Sequence, residues 1–198
     1  MKLLARLLLA AWALIVVPAW AQTAPDALVR STVEEVLVLM KQNTDQRALQ
    51  DLVEKKVLPH FDFRVMTQLA MGRAWRDATL PQQKALENAF RGLLVRTYTT
   101  ALAETANVDR AVEVKPAPLK PGEDYVIVRT LVKEPGRPPL SIDYRMSLGN
   151  QTWKVTDIVA ENVSLVINYR GTFSSEISRS GIDGLIKVLE AKNKGAQS

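Results

Sequence analysis

The chain has 198 residues, 47% of them hydrophobic and 24% charged, with no cysteine and one histidine. Such fractions belong to a single globular domain and exclude collagen, long disordered tails and multi-span membrane proteins. Without cysteine there are no disulfides, zinc ribbons, thiol nucleophiles, iron–sulfur clusters or cysteine-linked lipid anchors. A lone histidine, His60, leaves a histidine-built metal site or a Ser–His–Asp site without its parts. The formal charge is +5, but the basic residues are scattered and form no run of five, so the stripe expected of a nucleic-acid binder is missing.

Residues 1–21 read as a secretory signal. Lys2 and Arg6 give a positive start, Leu7 to Val17 is an apolar run, and Ala19-Trp20-Ala21 is a small–any–small cleavage site. The run is shorter than the roughly 20 residues a membrane-spanning helix needs. Cleavage after Ala21 leaves residues 22–198 as one domain carrying 24 basic and 21 acidic residues, a net charge of +3. A first helix opens at Thr23 or Pro25 and carries Leu28, Val29, Val33, Val36, Leu37 and Met40 at helical spacing, broken by Asn43-Thr44-Asp45. A second, short helix carries Leu49, Leu52, Val53 and Val57 and ends at Pro59. A third runs from an Asp62 N-cap to about Ala70 and stops at Gly72. Thr79-Leu80-Pro81-Gln82 is a capping box that opens a long helix to about Thr105, with Leu86, Phe90, Leu93, Leu94, Thr97, Tyr98 and Leu102 as its stripe.

The period then changes. Val112 to Val114, Asp124 to Lys133, Leu140 to Leu148 and Thr152 to Val159 read as strands of an antiparallel meander, joined by Pro116-Ala117-Pro118, Pro135–Pro139 and Gly149-Asn150. In the third, Leu140, Ile142, Tyr144, Met146 and Leu148 share a face. In the fourth, Trp153, Val155, Asp157 and Val159 do. From Ser164 the spacing is helical again, with Leu165, Val166, Tyr169, Phe173 and Ile177. Gly181 interrupts, and Asp183 to Ala191 forms a last helix before a polar tail from Lys192. The expected fold class is α+β: one domain with N-terminal helices, an antiparallel sheet of about four strands and C-terminal helices.

Chemical motifs are sparse. The glycines are isolated and cradle no phosphate, and H-E-x-x-H, G-x-S-x-G and EF-hand loops are absent. Glu34-Glu35 lie on a solvated helix face, and His60 has no nucleophile beside it and reads as a surface or packing histidine. The aromatic residues form either a filled core or the lining of a cavity between sheet and helices, which periodicity alone does not separate.

Several strings, taken in order, are similar to one family. They are Pro59-x-Phe61-Asp62-Phe63, Gly72-x-x-Trp75-Arg76, Phe90-x-x-Leu93-Leu94-x-x-x-Tyr98, Tyr144-Arg145, Trp153-Lys154-Val155-x-Asp157, Val163-Ser164-Leu165-Val166, Asn168-Tyr169-Arg170-x-x-Phe173 and Gly181-x-Asp183-Gly184-Leu185-Ile186. The set resembles the MlaC family of periplasmic phospholipid-binding proteins, also called the toluene-tolerance family, over about Asp26 to Leu189. One departure is Ala160-Glu161-Asn162 at a turn where relatives often have glycine; asparagine tolerates the left-handed backbone such a turn needs.

The resemblance implies a carrier rather than an enzyme. It would need no cofactor or metal and would hold a phospholipid as cargo, with its tails in an apolar cavity between sheet and helices. Lipid would pass between an outer-membrane lipoprotein complex and an inner-membrane ABC transporter with an MCE-domain subunit, which maintains outer-membrane lipid asymmetry. The carrier would work as a monomer in the periplasm with transient membrane proximity. Phe90, Leu94 and Tyr98 on the long helix, Val128, Tyr144 and Trp153 on the sheet, and Val166, Tyr169 and Phe173 on the next helix are the expected tail contacts; Arg145 and Arg170 are the candidates for the head-group mouth. Alternatives are a periplasmic enzyme on an isomerase-like cone fold using Asp62 or Asp157, an adaptor without ligand, and a carrier of hopanoid-type lipids.

Overall fold

A computed structural model describes residues 23–42, 46–104 and 108–194, with backbone alone at 46–47 and 101–104. The signal segment, the break at Asn43-Thr44-Asp45 and the Leu102 side chain lie outside the described residues. Helices α1 (Pro25–Gln42) and α2 (Gln46–Leu52) come first, the latter running on through a π turn, Val53–Val57, and a 3-10 turn, Leu58–His60. Next come α3 (Phe63–Met71), a 3-10 turn (Gly72–Trp75) and α4 (Leu80–Glu104). Strands β1 (Ala111–Val114), β2 (Tyr125–Lys133), β3 (Leu140–Gly149), β4 (Thr152–Ala160) and β5 (Val163–Ser164) precede α5 (Leu165–Lys194).

The helix starts follow local chemistry. Asp62 caps α3 by accepting from the Val65 amide at 2.9 Å, and Gly72, at φ 57°, closes it. At α4 the capping box is reciprocal. Gln82 Oε1 accepts from the Thr79 amide at 3.0 Å, and Thr79 Oγ1 accepts from the Gln82 amide at 3.4 Å.

The sheet is antiparallel in the order β1-β2-β3-β4-β5. The sequence misses β5 because two residues are too few to show a period. Asn150-Gln151 and Glu161-Asn162 all have positive φ, between 47° and 64°, which matches the turn twist of tight hairpins. Asparagine thus serves where glycine would in the β4–β5 turn. Glu161 also ties that turn to β3, its carboxylate accepting from the Ser141 amide at 2.7 Å.

At the C-terminus the expected interruption is present: Gly181 has a non-helical backbone, φ 71°, and Leu165–Lys194 is two helical segments joined across that kink. One further difference from the sequence reading has a clear cause. In β4 a bulge breaks the alternation: Met146 pairs with Val155 but Arg145 pairs with Asp157, leaving Thr156 extra. Asp157 and Val159 therefore lie on the opposite face from Trp153 and Val155. Ile158 and Ala160, paired with Tyr144 and Ile142, take the inner face instead.

The apolar interior is divided. One cluster fills the space among α3, α4 and α5 with Met66, Trp75, Leu86, Phe90, Leu94, Val166, Phe173 and Leu185. A second joins α1 to the sheet through Val29, Val114, Val128, Met146, Trp153 and Val155. Phe61, whose backbone pairs with Val155, touches both.

Candidate functional site

The site expected between sheet and helices is built by three supports. Helix α1 packs on β1 and β2, while α3 and α5 meet the sheet along β4. β3 lies between them. On its inner face Met146 is fully buried, but Ile142 and Tyr144 remain partly exposed, as do Ile158 and Ala160 opposite them on β4 and Val132 on β2. Tyr144 and Ile158 pack against the sheet cluster while keeping some accessible surface. Protein surrounds Tyr144 closely enough that burial pushes its hydroxyl up to about 12.

The nine expected tail contacts divide between the two clusters. Phe90, Leu94, Val166 and Phe173 are buried in the helical cluster, with Tyr169 packed against it. The Phe90 ring meets those of Tyr169 and Phe173 edge-on, each at 5.1 Å between centroids. Val128 and Trp153 are buried under α1, with Tyr144 at their margin. Tyr98 stands apart at 42% exposure; past Leu94 the buried positions of α4 among the described side chains are Val95 and Thr99, not Thr97 and Tyr98. Burial, and then the charge of Tyr169, raise the Tyr98 pKa. Ile158 and Ala160 are the inner-face residues that the sequence hides, because no sequence signal announces the bulge that turns them inward.

The two arginines have other engagements. Arg145 leaves β3 on the face opposite Tyr144 and meets Asp157 at 3.1 Å. Arg170 donates twice to the Leu69 carbonyl, from Nε at 3.1 Å and Nη2 at 2.7 Å, closing the end of α3. Asp157, 2% exposed, is a cap: its carboxylate accepts from the Val166 amide at 3.1 Å and the Ser164 hydroxyl at 2.6 Å. Ser164 in turn accepts from the Ile167 amide at 3.0 Å. Two orphan amides of α5 are thus satisfied next to a favourable negative charge. Asp62 is likewise occupied as the α3 cap, so both carboxylates weighed for catalysis hold helix ends. His60 is half-buried, and burial, then Lys154, lower its pKa. Among the described residues no three His, Asp or Glu side chains gather as a metal site.

A second feature is an open apolar cleft of about 380 Å³ lined by Ala24, Asp26, Pro116, Ala117, Pro118 and Leu119, where α1 begins. It lies outside the interior just described.

Helices banked against part of an antiparallel sheet, with the rest of the inner face held partly open, define a small α+β binding domain. The chain belongs to the MlaC family, whose model, described as "MlaC protein", matches residues 30–191. It is 20% identical over 178 residues to the intermembrane phospholipid transport system binding protein MlaC of Haemophilus influenzae, covering 86% of this chain and 82% of that one. Its structure superposes with a TM-score of 0.77 on a phospholipid-binding protein from Ralstonia solanacearum solved in complex with a phospholipid. That protein is 34% identical, with 87% of this chain and 98% of the other covered.

Proposed function

We propose that this protein is a periplasmic phospholipid carrier that takes acyl tails into the space between the inner face of β3–β4 and the helices. The observation that carries the reading is the 34% identity and near-complete coverage of a phospholipid-binding structure that holds its lipid. The partly exposed inner face at Ile142, Tyr144 and Ile158 supports it. Two acyl chains hold on the order of 30 methylenes at about 0.8 kcal/mol each, so roughly 24 kcal/mol opposes a free lipid crossing water. A protein that covers both tails turns that crossing into an exchange between similar surroundings and performs no reaction.

In this reading residues 1–21 are the export signal, the cargo is the only bound small molecule, and the carrier works as a monomer. It exchanges lipid with an outer-membrane lipoprotein complex and an inner-membrane ABC transporter. Tyr144, Ile158 and Ile142 line the tail space. Tyr98 and Tyr169 mark its rim, and Phe90, Leu94, Val128, Trp153, Val166 and Phe173 form the wall behind. With Arg145 on the far face of the sheet, Arg170 is the arginine left for the mouth.

The test is native mass spectrometry of protein purified from a bacterial periplasm, followed by lipid extraction. A stoichiometric phospholipid adduct is expected; a polycyclic lipid would redirect the reading to hopanoid-type cargo, and a clean apo mass would overturn it. Ile158→Asp, which sets an unpaired charge on the lining, is expected to abolish the adduct while circular dichroism stays native. A folded Ile158→Asp that keeps wild-type lipid would remove this space as the cargo site.

A further inference from the structure

Most charges on or beside the sheet are paired: Glu113 meets Lys115 and Lys133, Glu134 meets Arg110 and Arg137, and Asp143 meets Arg129, while Lys154 donates to the Pro59 carbonyl. Around α3 and the following turn they are not. Arg64, Arg73, Arg76, Arg91 and Arg170 form no ion pair with a carboxylate among the described residues. Contacts tie Arg64, Arg91 and Arg170 to α3 and the turn after it, where Arg73 and Arg76 are exposed. The Arg64 guanidinium lies 5.4 Å from the Trp75 ring centre and donates to Gln83 at 3.3 Å. Arg91 lies 5.7 Å from the Phe63 ring, one residue from Arg64. Arg170, bonded to the Leu69 carbonyl, sits 3.6 Å from where a β-carbon at Gly72 would be, next to Arg73. Stacking on an aromatic ring holds a guanidinium in place without neutralising it.

The acids nearby do not cancel this charge. Asp62 is spent on the α3 cap and Glu87 on Lys84. Asp77 and Asp183, the latter accepting from Gln82 at 2.7 Å, adjoin the surface, so five arginines face two carboxylates. At the same edge, where α4 starts, Leu80 is 76% exposed, the most exposed large apolar side chain described.

We infer that this surface, made by α3, residues 72–80, Arg91 of α4 and Arg170 of α5, docks the protein on anionic lipid head groups, with Leu80 entering the interface. Basic side chains near an anionic leaflet each strengthen attachment severalfold, and one apolar side chain beside them enters the acyl boundary. An acidic protein face would match the arginines but gives no reason to project a bare leucine. The inference is separate from the cargo reading, since none of these side chains other than Arg170 is placed at the tail space or its mouth.

The experiment is vesicle flotation of the purified protein with phosphatidylglycerol–phosphatidylcholine vesicles and with pure phosphatidylcholine vesicles, at low and physiological salt. Binding is expected only to the anionic vesicles, weakened by salt. The double variant Arg73→Glu/Arg76→Glu is expected to lose binding about tenfold or more, and Leu80→Ser about severalfold. Lys120→Glu, an exposed charge between β1 and β2 and so outside this surface, is expected to have a much smaller effect. Lipid content by mass spectrometry is expected to be unchanged in all three, which keeps this result distinct from the fate of the carrier reading. Absent binding to anionic vesicles, equal loss in Lys120→Glu, or full binding by the double variant would each overturn the inference. So would wild-type vesicle binding by a double variant that instead loses a cross-linked protein partner, an outcome that would assign the face to an acidic protein.

Discussion

The helical cluster and the inner face of the sheet are made of the same kinds of residue and do opposite things with them. Around Phe90, three helices converge and every neighbour reaches the next, so Met66, Leu86, Val166 and Phe173 lose all but a trace of their surface. On the sheet, α1 covers the β1–β2 side and α3 and α5 the β4 edge, which leaves Ile142, Tyr144 and Ile158 facing inward with surface to spare. Whether an apolar residue is core or lining depends on whether a second element comes close enough to complete its shell. In the proposed reading, the filled region holds the fold while the less enclosed face takes the guest.

The largest effect should come from breaking the filled side. Phe90→Ala removes a fully buried ring that two other rings meet edge-on and is expected to cost about 3–5 kcal/mol of unfolding free energy. Ile142→Ala, an equally apolar inward position on the sheet, is expected to cost about 1 kcal/mol or less, because it deletes a side chain that was never fully enclosed. Urea unfolding of both variants in the lipid-free state checks the contrast. Equal losses would mean that the sheet face is a packed core after all.

A smaller effect is expected where the two regions are joined. Asp157→Ala removes the carboxylate that holds the start of α5 to β4 through the Val166 amide and Ser164, at a cost of about 2 kcal/mol. Its partner Arg145 keeps 40% of its side-chain surface and recovers water when unpaired. Arg145→Ala is therefore expected to cost under about 1 kcal/mol. If the two variants lose the same stability, the ion pair rather than the cap is what fastens the helix.

Much of this arrangement was legible in the sequence, for identifiable reasons. Caps act within four residues, so Asp62, Thr79 and Gln82 could be read directly, and strict alternation in Leu140 to Leu148 gave the inner face of β3. The bulge at Thr156 could not be read, because it depends on which residue of β3 each residue of β4 finds opposite, and it moves Ile158 inward and Asp157 outward. Tyr98 is more exposed than its helical spacing suggests, for a related reason. Helical spacing assigns a side, but the extent of that side that is covered depends on how far α5 runs alongside α4. Long-range pairing also explains why Arg145 and Arg170, unremarkable as charges in a string, turn out to be engaged with Asp157 and the Leu69 carbonyl.

The finest probe of the contrast is a titration. Among the four tyrosines, Tyr144 is the one that burial pushes up to about 12, against about 10 for the free phenol. A raised value means that the native state favours the neutral form. The stability this supplies is complete below pH 10 and disappears as pH climbs through about 12. The protein alone, with no lipid bound, raises it this far, so lipid-stripped protein is expected to ionise Tyr144 well above 10. Ultraviolet titration of lipid-stripped protein, with Tyr144→Phe to identify the step, checks this. A step near 10 would mean that water reaches the hydroxyl in the empty protein, and the partial exposure of β3 would then open onto a wet space rather than a seam closed by protein.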